Sequence, residues 1–447
     1  MQKKGLMRAC ALFLSVMLLL CPALCVRTSA LEPPVIERVG AAYLYNIEND
    51  LVTFEMNADE LLFPSASVKV MTAVVAYEAL SSRMGESVVI TSDMILGATG
   101  NHIGIKTGER LSVRDLFYAL LLKGANDAAF VLVNLSYGSP DAFIQRMNER
   151  AAELGMTKTV YKNVTGMHHP DMVTTARDTA KVAEVFASYS ELIEMSSVTK
   201  HVIEKSEKTT ERNLYNRNAF VSKLNSLGTK EYYYQDARGM CFGSTVEGGD
   251  SFVTMVEREG LRYICVILGG EENEAETEIY AFIAAKALCD YALDGFGYVR
   301  VLTRDKLVYD MPVALSEQAD HVMLIPRDEI KAYLPRDIDV KTEITVSYTL
   351  DHETLTAPVA EGQKAGYVSV YYGDVLLGTV ELVTQNEVAL STFLSVLENI
   401  RRFTESKFFI CSAIALVVLT VSFVLVNGFV RGQRSRRRSR SRYNKFR

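Results

Sequence analysis

Apolar and polar positions along this chain change period several times, and each change marks an element. Ala41-Ala42-Tyr43-Leu44-Tyr45 and Leu51-Val52-Thr53-Phe54 flank the polar turn Glu48-Asn49-Asp50, which predicts strand, turn, strand. After Pro64, apolar Val70, Met71, Val74 and Val75 recur at helical spacing and predict a helix over 67–79. Helices are expected over 114–122 and 125–135, on either side of Lys123-Gly124, and over 140–154 with Pro140 in the first turn. Another is expected over 174–187, capped by Thr174 or Thr175. Residues 88–110 carry Gly97, Gly100, Gly104 and Gly108 and read as loop. From 240 to 270 the pattern alternates like antiparallel strands with polar turns at 247–250 and 258–260, and a closing helix is expected over 272–293.

Beyond 296 the period stays short. Strands are expected over 299–302, 322–325, 343–348, 365–372 and 375–383, a small all-β domain over 296–385. Residues 386–407 form an amphipathic juxtamembrane stretch that lies on a membrane or serves as a stalk. Residues 408–430 hold no charged side chain and are long enough to span a bilayer. Residues 431–447 hold nine basic side chains and no acidic one, which places that tail in the cytoplasm. At the other end, Lys3, Lys4 and Arg8 precede an apolar run, and Thr28-Ser29-Ala30 offers a cleavage site, so 1–30 reads as a secretory signal. The domain over 31–295 therefore sits outside the membrane, on a single C-terminal span.

Charge and cysteine usage narrow the chemistry. The net charge is −6, and the body without its basic ends is more acidic still, which argues against nucleic acid as a partner. Cys241, Cys265 and Cys289 match no metal-binding spacing, and three buried thiols is the plain expectation. His168-His169 near Asp171 point in different directions as neighbours and are read as solvated, so no metal and no other cofactor is expected.

Several segments together resemble one family. Residues 54–80 (FEMNADELLFPSASVKVMTAVVAYEAL), 111–139 (LSVRDLFYALLLKGANDAAFVLVNLSYGS), 143–183 and 357–383 are similar, in order, to the D-alanyl-D-alanine carboxypeptidases, the low-molecular-weight penicillin-binding proteins of peptidase class S11. The resemblance implies an α/β (α+β) fold. It would comprise a serine β-lactamase/DD-peptidase-like domain, with an antiparallel sheet and helices, then a small all-β domain and the C-terminal transmembrane helix. It also implies acyl transfer: a serine attacks the carbonyl between two D-alanines and a lysine one turn later, in S-x-x-K, acts as base. An S-x-N motif relays a proton and orients substrate, K-T-G supplies a cation for the terminal carboxylate, and two backbone N–H groups form the oxyanion hole.

This chain departs from that pattern at each motif. Matching Pro64, Lys69 and Met71-Thr72 puts Ala66 at the nucleophile position and leaves Lys69 as the base position. Matching Asn126-Asp127 puts Gly124 where the shuttling serine belongs, with Asn126 retained. Cys241-Phe242-Gly243 replaces K-T-G, and the oxyanion backbone falls at Ala66 and Ser244. Lys106-Thr107-Gly108 spells K-T-G but precedes the second motif, where the family has an ordinary loop.

An alanine has no attacking atom, so a catalytically inactive binding or scaffold module of peptidoglycan metabolism is the first expectation. The alternative is a working serine carboxypeptidase with Ser65 as replacement nucleophile, four residues before Lys69. The plain reading of Ser65 is a helix N-cap. A third possibility is an interaction protein with a closed groove. The partners implied are a peptidoglycan stem peptide, held weakly or as a vestige, the cytoplasmic membrane through the C-terminal helix, and cell-wall assembly proteins.

Overall fold

The structure is a computed structural model that describes residues 31–224, 231–271 and 278–443, with side chains up to 432. The expected signal over 1–30 lies outside the described residues. The chain divides into two compact units.

The first unit runs to Val299 and includes Tyr333–Ile338. Its frame is an antiparallel five-stranded sheet. The strands are β1 (Ala41–Asn46) and β2 (Leu51–Met56) from the N-terminal hairpin, and three long strands further on. Two short hairpins lie between them in sequence: β3 (Ser87–Val89) with β4 (Arg110–Ser112), and β5 (Lys200–Ile203) with β6 (Arg212–Tyr215). The long strands are β7 (Ala237–Thr245), β8 (Gly249–Arg258) and β9 (Leu261–Gly270), and the spatial order is β2-β1-β9-β8-β7. β7 is thus a sheet edge, held in register by Phe242 opposite Phe252 and Gly243 opposite Ser251.

The helices are α1 (Val68–Leu80), α2 (Val113–Lys123), α3 (Asn126–Tyr137), α4 (Pro140–Glu153), α5 (Ala176–Ser188), α6 (Ser190–Ser197) and α7 (Tyr280–Gly295). α1 is the central one: Val68, Val70, Met71, Ala73, Val74, Val75 and Ala76 are all buried, so it is apolar on every side and surrounded. One hydrophobic core joins α1, α2, α3 and α5 to one face of the sheet. A second lies between the opposite face and α7, where Phe220, Phe242, Phe252 and Phe282 stack.

The expected helices up to α5 and the β7–β9 meander are present within a residue or three of their predicted ends, whereas the closing helix, expected from 272, begins at Tyr280, and residues 272–277 lie outside the described residues. Thr175, not Thr174, caps α5, its hydroxyl accepting from Asp178 N at 3.0 Å. α6 and the β5–β6 hairpin were not predicted. Both are short, and Lys200-His201 interrupts the apolar run that would have marked a strand.

The second unit, Arg300–Ala332 with Asp339 onward, contains a six-stranded sheet in the order Ile344–Leu350, Lys364–Tyr372, Val375–Thr384, His321–Pro326, Tyr309–Ala314, Leu355–Thr356. Met311, Leu324, Val368, Val370 and Leu382 fill its core. After it come the helix Thr392–Glu405, with Phe393, Val396, Leu397, Ile400 and Phe403 exposed along one side, and the helix Lys407–Tyr443. Within the latter, Lys407–Gly432 is long and apolar enough to cross a membrane.

Candidate active site

The chain enters α1 through a tight 3-10 turn, Ser65–Ser67. Ser65 takes a left-handed conformation (φ 49°), which is unusual for a residue with a side chain. It does not cap the helix as expected. Ser67 occupies the cap position, no side chain caps it, and the buried Ser65 hydroxyl has no hydrogen-bond partner among the described residues. Ala66 lies at the next position, and Lys69 follows on the first turn of α1.

Lys69 is almost fully buried. Its amine donates to the backbone carbonyl of Thr165. The Thr165 carbonyl is presented by a turn in which Asn163 Oδ1 accepts from Thr165 N at 3.1 Å and Gly166 N at 2.8 Å. Gly166 is required there: its φ is 83°, and a Cβ would come within 2.0 Å of the Ser65 carbonyl oxygen. Burial brings the Lys69 amine down to about 8, partly offset by the Cys241 thiol and reinforced by the Arg217 charge. Among the described residues no acidic side chain pairs with Lys69, and no side-chain hydroxyl shares a hydrogen bond with its amine.

The second wall is the junction of α2 and α3. Gly124 ends α2 in the left-handed conformation (φ 62°), and a Cβ there would rest 3.6 Å from Lys69 Cε. Asn126 opens α3. Its Nδ2 donates to Thr99 O at 2.6 Å, and its buried Oδ1 has no partner among the described residues. Asp127 holds the adjoining loop by accepting from Ile103 N at 3.2 Å and Ile105 N at 2.9 Å.

The third wall is the edge strand β7. A bulge at Gly239-Met240, both with positive φ, precedes Cys241. Bulges re-aim the side chains that follow them. The Cys241 thiol donates to the carbonyl of Ala66 at 3.7 Å, and burial pushes its pKa up to about 12. Phe242 turns to the opposite core, 4.5 Å from Phe282 by ring centroids, while still edging the site. Gly243 leaves room for Ala66, since a Cβ would sit 2.6 Å from the alanine methyl.

These walls enclose a cavity of about 90 Å³ lined by Ala66, Lys69, Gly124, Asn126, Phe242, Gly243 and Ser244, with Asn101, Thr165, Gly166, Met167, Arg217 and Thr245. Most of the residues singled out in the sequence therefore meet in one place. Ser65 and Cys241 are not in the lining. Arg217 was missed by sequence reasoning. It follows Asn216 and precedes Asn218, whose side chains tie the segment to Ser196, Val198 and the Gly239 carbonyl. Burial opposes the Arg217 charge and Asp250 favours it.

The remaining sequence candidates lie elsewhere in their bonding. His169 Nδ1 accepts from Asp171 N at 3.1 Å, and His168 packs edge-on against Phe63. No cluster of metal-ligating side chains occurs among the described residues. Thr107-Gly108 forms a turn before β4, with Gly108 N bonded to the Ile90 carbonyl. Cys241, Cys265 and Cys289 are buried and free.

The D-alanyl-D-alanine carboxypeptidase family model matches residues 30–272, more than half of the chain. The chain belongs to the D-alanyl-D-alanine carboxypeptidase family. A second family model, the C-terminal domain of penicillin-binding protein 5, matches residues 296–390. The chain is 27% identical over 386 residues to the D-alanyl-D-alanine carboxypeptidase DacC of Escherichia coli (strain K12), covering 82% of this chain and 88% of that one. It is 22% identical over 369 residues to DacF of Bacillus subtilis (strain 168), covering 80% and 88%. The crystal structure of penicillin binding protein 6B from Escherichia coli shares the fold, with TM-score 0.56, 21% identity and coverage of 79% and 97%. This is a carboxypeptidase-like protein of the cell wall with a low-molecular-weight penicillin-binding protein architecture.

Proposed function

We propose that this family member binds peptidoglycan stem peptides without cleaving them, as a module held at the outer face of the cytoplasmic membrane by the helix within Lys407–Gly432. The basic tail would then be cytoplasmic. The observation that carries the reading is the methyl group of Ala66 in the cavity wall beside Lys69, where acyl transfer requires a hydroxyl. Lys69 holds a carbonyl instead. Gly124 relays no proton, and Cys241 is a protonated thiol engaged with the Ala66 carbonyl. The cavity nonetheless keeps peptide-binding chemistry in Lys69, Arg217 and Asn126.

The test is exposure of the membrane protein to a fluorescent penicillin and to a pentapeptide ending in D-Ala-D-Ala. No covalent adduct by intact mass and no released D-alanine are expected. An adduct on the wild-type chain refutes the proposal. One observation favours a working enzyme: the Ser65 hydroxyl has no partner among the described residues and its backbone is left-handed. On that reading labelling occurs, is lost in Ser65→Ala and survives in Ser67→Ala.

A further inference from the structure

The lining of the small cavity is electrostatically one-sided. Among the described residues it contains two cations, Lys69 and Arg217, and no acidic side chain. Asp250 acts on Arg217, whereas Lys69 has only the Thr165 carbonyl among the described residues. A buried ammonium without a counter-ion is unfavourable, and an anion that enters beside it removes that cost. The free space is about 90 Å³, room for roughly three waters or for a carboxylate with a methyl group. The wall beside Lys69 is the Ala66 methyl, and no side-chain hydroxyl among the described residues bonds the amine. Asn126, in the same lining, carries a buried amide oxygen with no donor among the described residues. A carboxylate, a methyl group and a nearby N–H are together the terminal alanine residue of a peptide.

We propose that the cavity reads the free C-terminal carboxylate of a trimmed stem peptide, with that carboxylate on the Lys69 ammonium and the terminal residue's N–H directed to Asn126. This rests on the stem-peptide reading above and specifies its ligand. In an uncut pentapeptide placed for cleavage, a neutral amide would face Lys69 and leave its charge unmatched. With the stem held in that register, the site would favour the product of carboxypeptidases over their substrate and report where trimming has occurred.

The experiment is calorimetric titration of the full chain in nanodiscs with three synthetic peptides. They are a stem tetrapeptide ending in D-alanine, the same peptide as its C-terminal carboxamide, and the pentapeptide ending in D-Ala-D-Ala. N-acetyl-D-alanine tests whether a lone amino-acid end suffices. The tetrapeptide acid is expected to bind at least tenfold tighter than its carboxamide and tighter than the pentapeptide and N-acetyl-D-alanine. Lys69→Gln should erase the acid-to-amide difference. If that variant is misfolded by circular dichroism, the wild type supplies the check: affinity for the acid must fall as pH rises through about 8, where Lys69 loses its charge. The neighbouring titratable groups are the Cys241 thiol and the Arg217 guanidinium; the first stays protonated up to about 12 and the second stays charged. Equal binding of acid and carboxamide, or of tetrapeptide and pentapeptide, overturns this inference while leaving the stem-peptide reading intact. Absence of binding by every peptide overturns both.

Discussion

A Cβ added to Gly243 would lie 2.6 Å from the Ala66 methyl, so the edge strand and the start of α1 meet with no space for another carbon. Gly243 has no left-handed backbone to protect; the constraint is contact alone. Gly243→Ala should therefore destabilise the first unit by about 1–3 kcal/mol, as overpacking of a close contact does. Urea unfolding checks this. A variant as stable as wild type would show that β7 can move away from Ala66, and with it that the cavity is not rigid.

Lys69 gives a pH signature with a definite sign. Its folded pKa is about 8 and its ordinary value 10.5, so the folded state resists the charge that the unfolded state accepts. Below about pH 8 both states are protonated and the full cost is present. Between about 8 and 10.5 the unfolded chain binds the extra proton, and stability should rise with pH. The difference in unfolding free energy between wild type and Lys69→Met isolates this term from the tyrosines that titrate nearby in pH. Lys69→Met should be the more stable at pH 7, and its advantage should shrink toward pH 10. A difference that is flat with pH would mean the amine is solvated.

How far the sequence shows this site depends on whether its parts are local. Ala66 and Lys69 lie one turn apart, and Gly124 and Asn126 adjoin a helix end, so spacing alone places each pair. The union of the three motifs follows from the family resemblance, because the packing of β7 against the turn before α1, where Cys241 meets the Ala66 carbonyl, is not written in any local pattern. Arg217 belongs to no helix or strand and reaches the cavity through the Asn216 and Asn218 side chains, which bond residues up to 21 positions away. Nothing in the spelling Asn-Arg-Asn marks that. Ser65 misled in the other direction. A serine before a helix ordinarily caps it, but here the 3-10 turn shifts the cap to Ser67 and leaves the Ser65 hydroxyl buried.

The Cys241 thiol should be chemically silent in the folded protein. It is buried, its pKa is raised to about 12, and its proton is directed to the Ala66 carbonyl. The thiolate is the reactive form. Iodoacetamide at pH 8 should leave Cys241, Cys265 and Cys289 unmodified in the native state and alkylate all three in guanidinium chloride. Rapid native labelling of Cys241, mapped by peptide mass, would show a reactive thiolate at the site.

Restoring one atom separates loss of the nucleophile from loss of the whole machine. Ala66→Ser puts a hydroxyl one turn from Lys69, in the cavity lining, where about half of the amine is neutral at pH 8. A penicillin carries its own strained acylating bond and demands least of the site, so Ala66→Ser should acquire a covalent adduct that wild type lacks. Peptide turnover demands more. Gly124 still relays no proton and Cys241 still contributes no cation, and each such deficit costs orders of magnitude. D-alanine release by Ala66→Ser should therefore remain about 10³-fold or more below that of an intact family enzyme. Adding Gly124→Ser should raise release, at a stability cost of about 1–2 kcal/mol for a left-handed serine. If Ala66→Ser alone turns over pentapeptide at the rate of an intact enzyme, then the other motif positions were never lost in function, and the cavity is an active site missing a single oxygen.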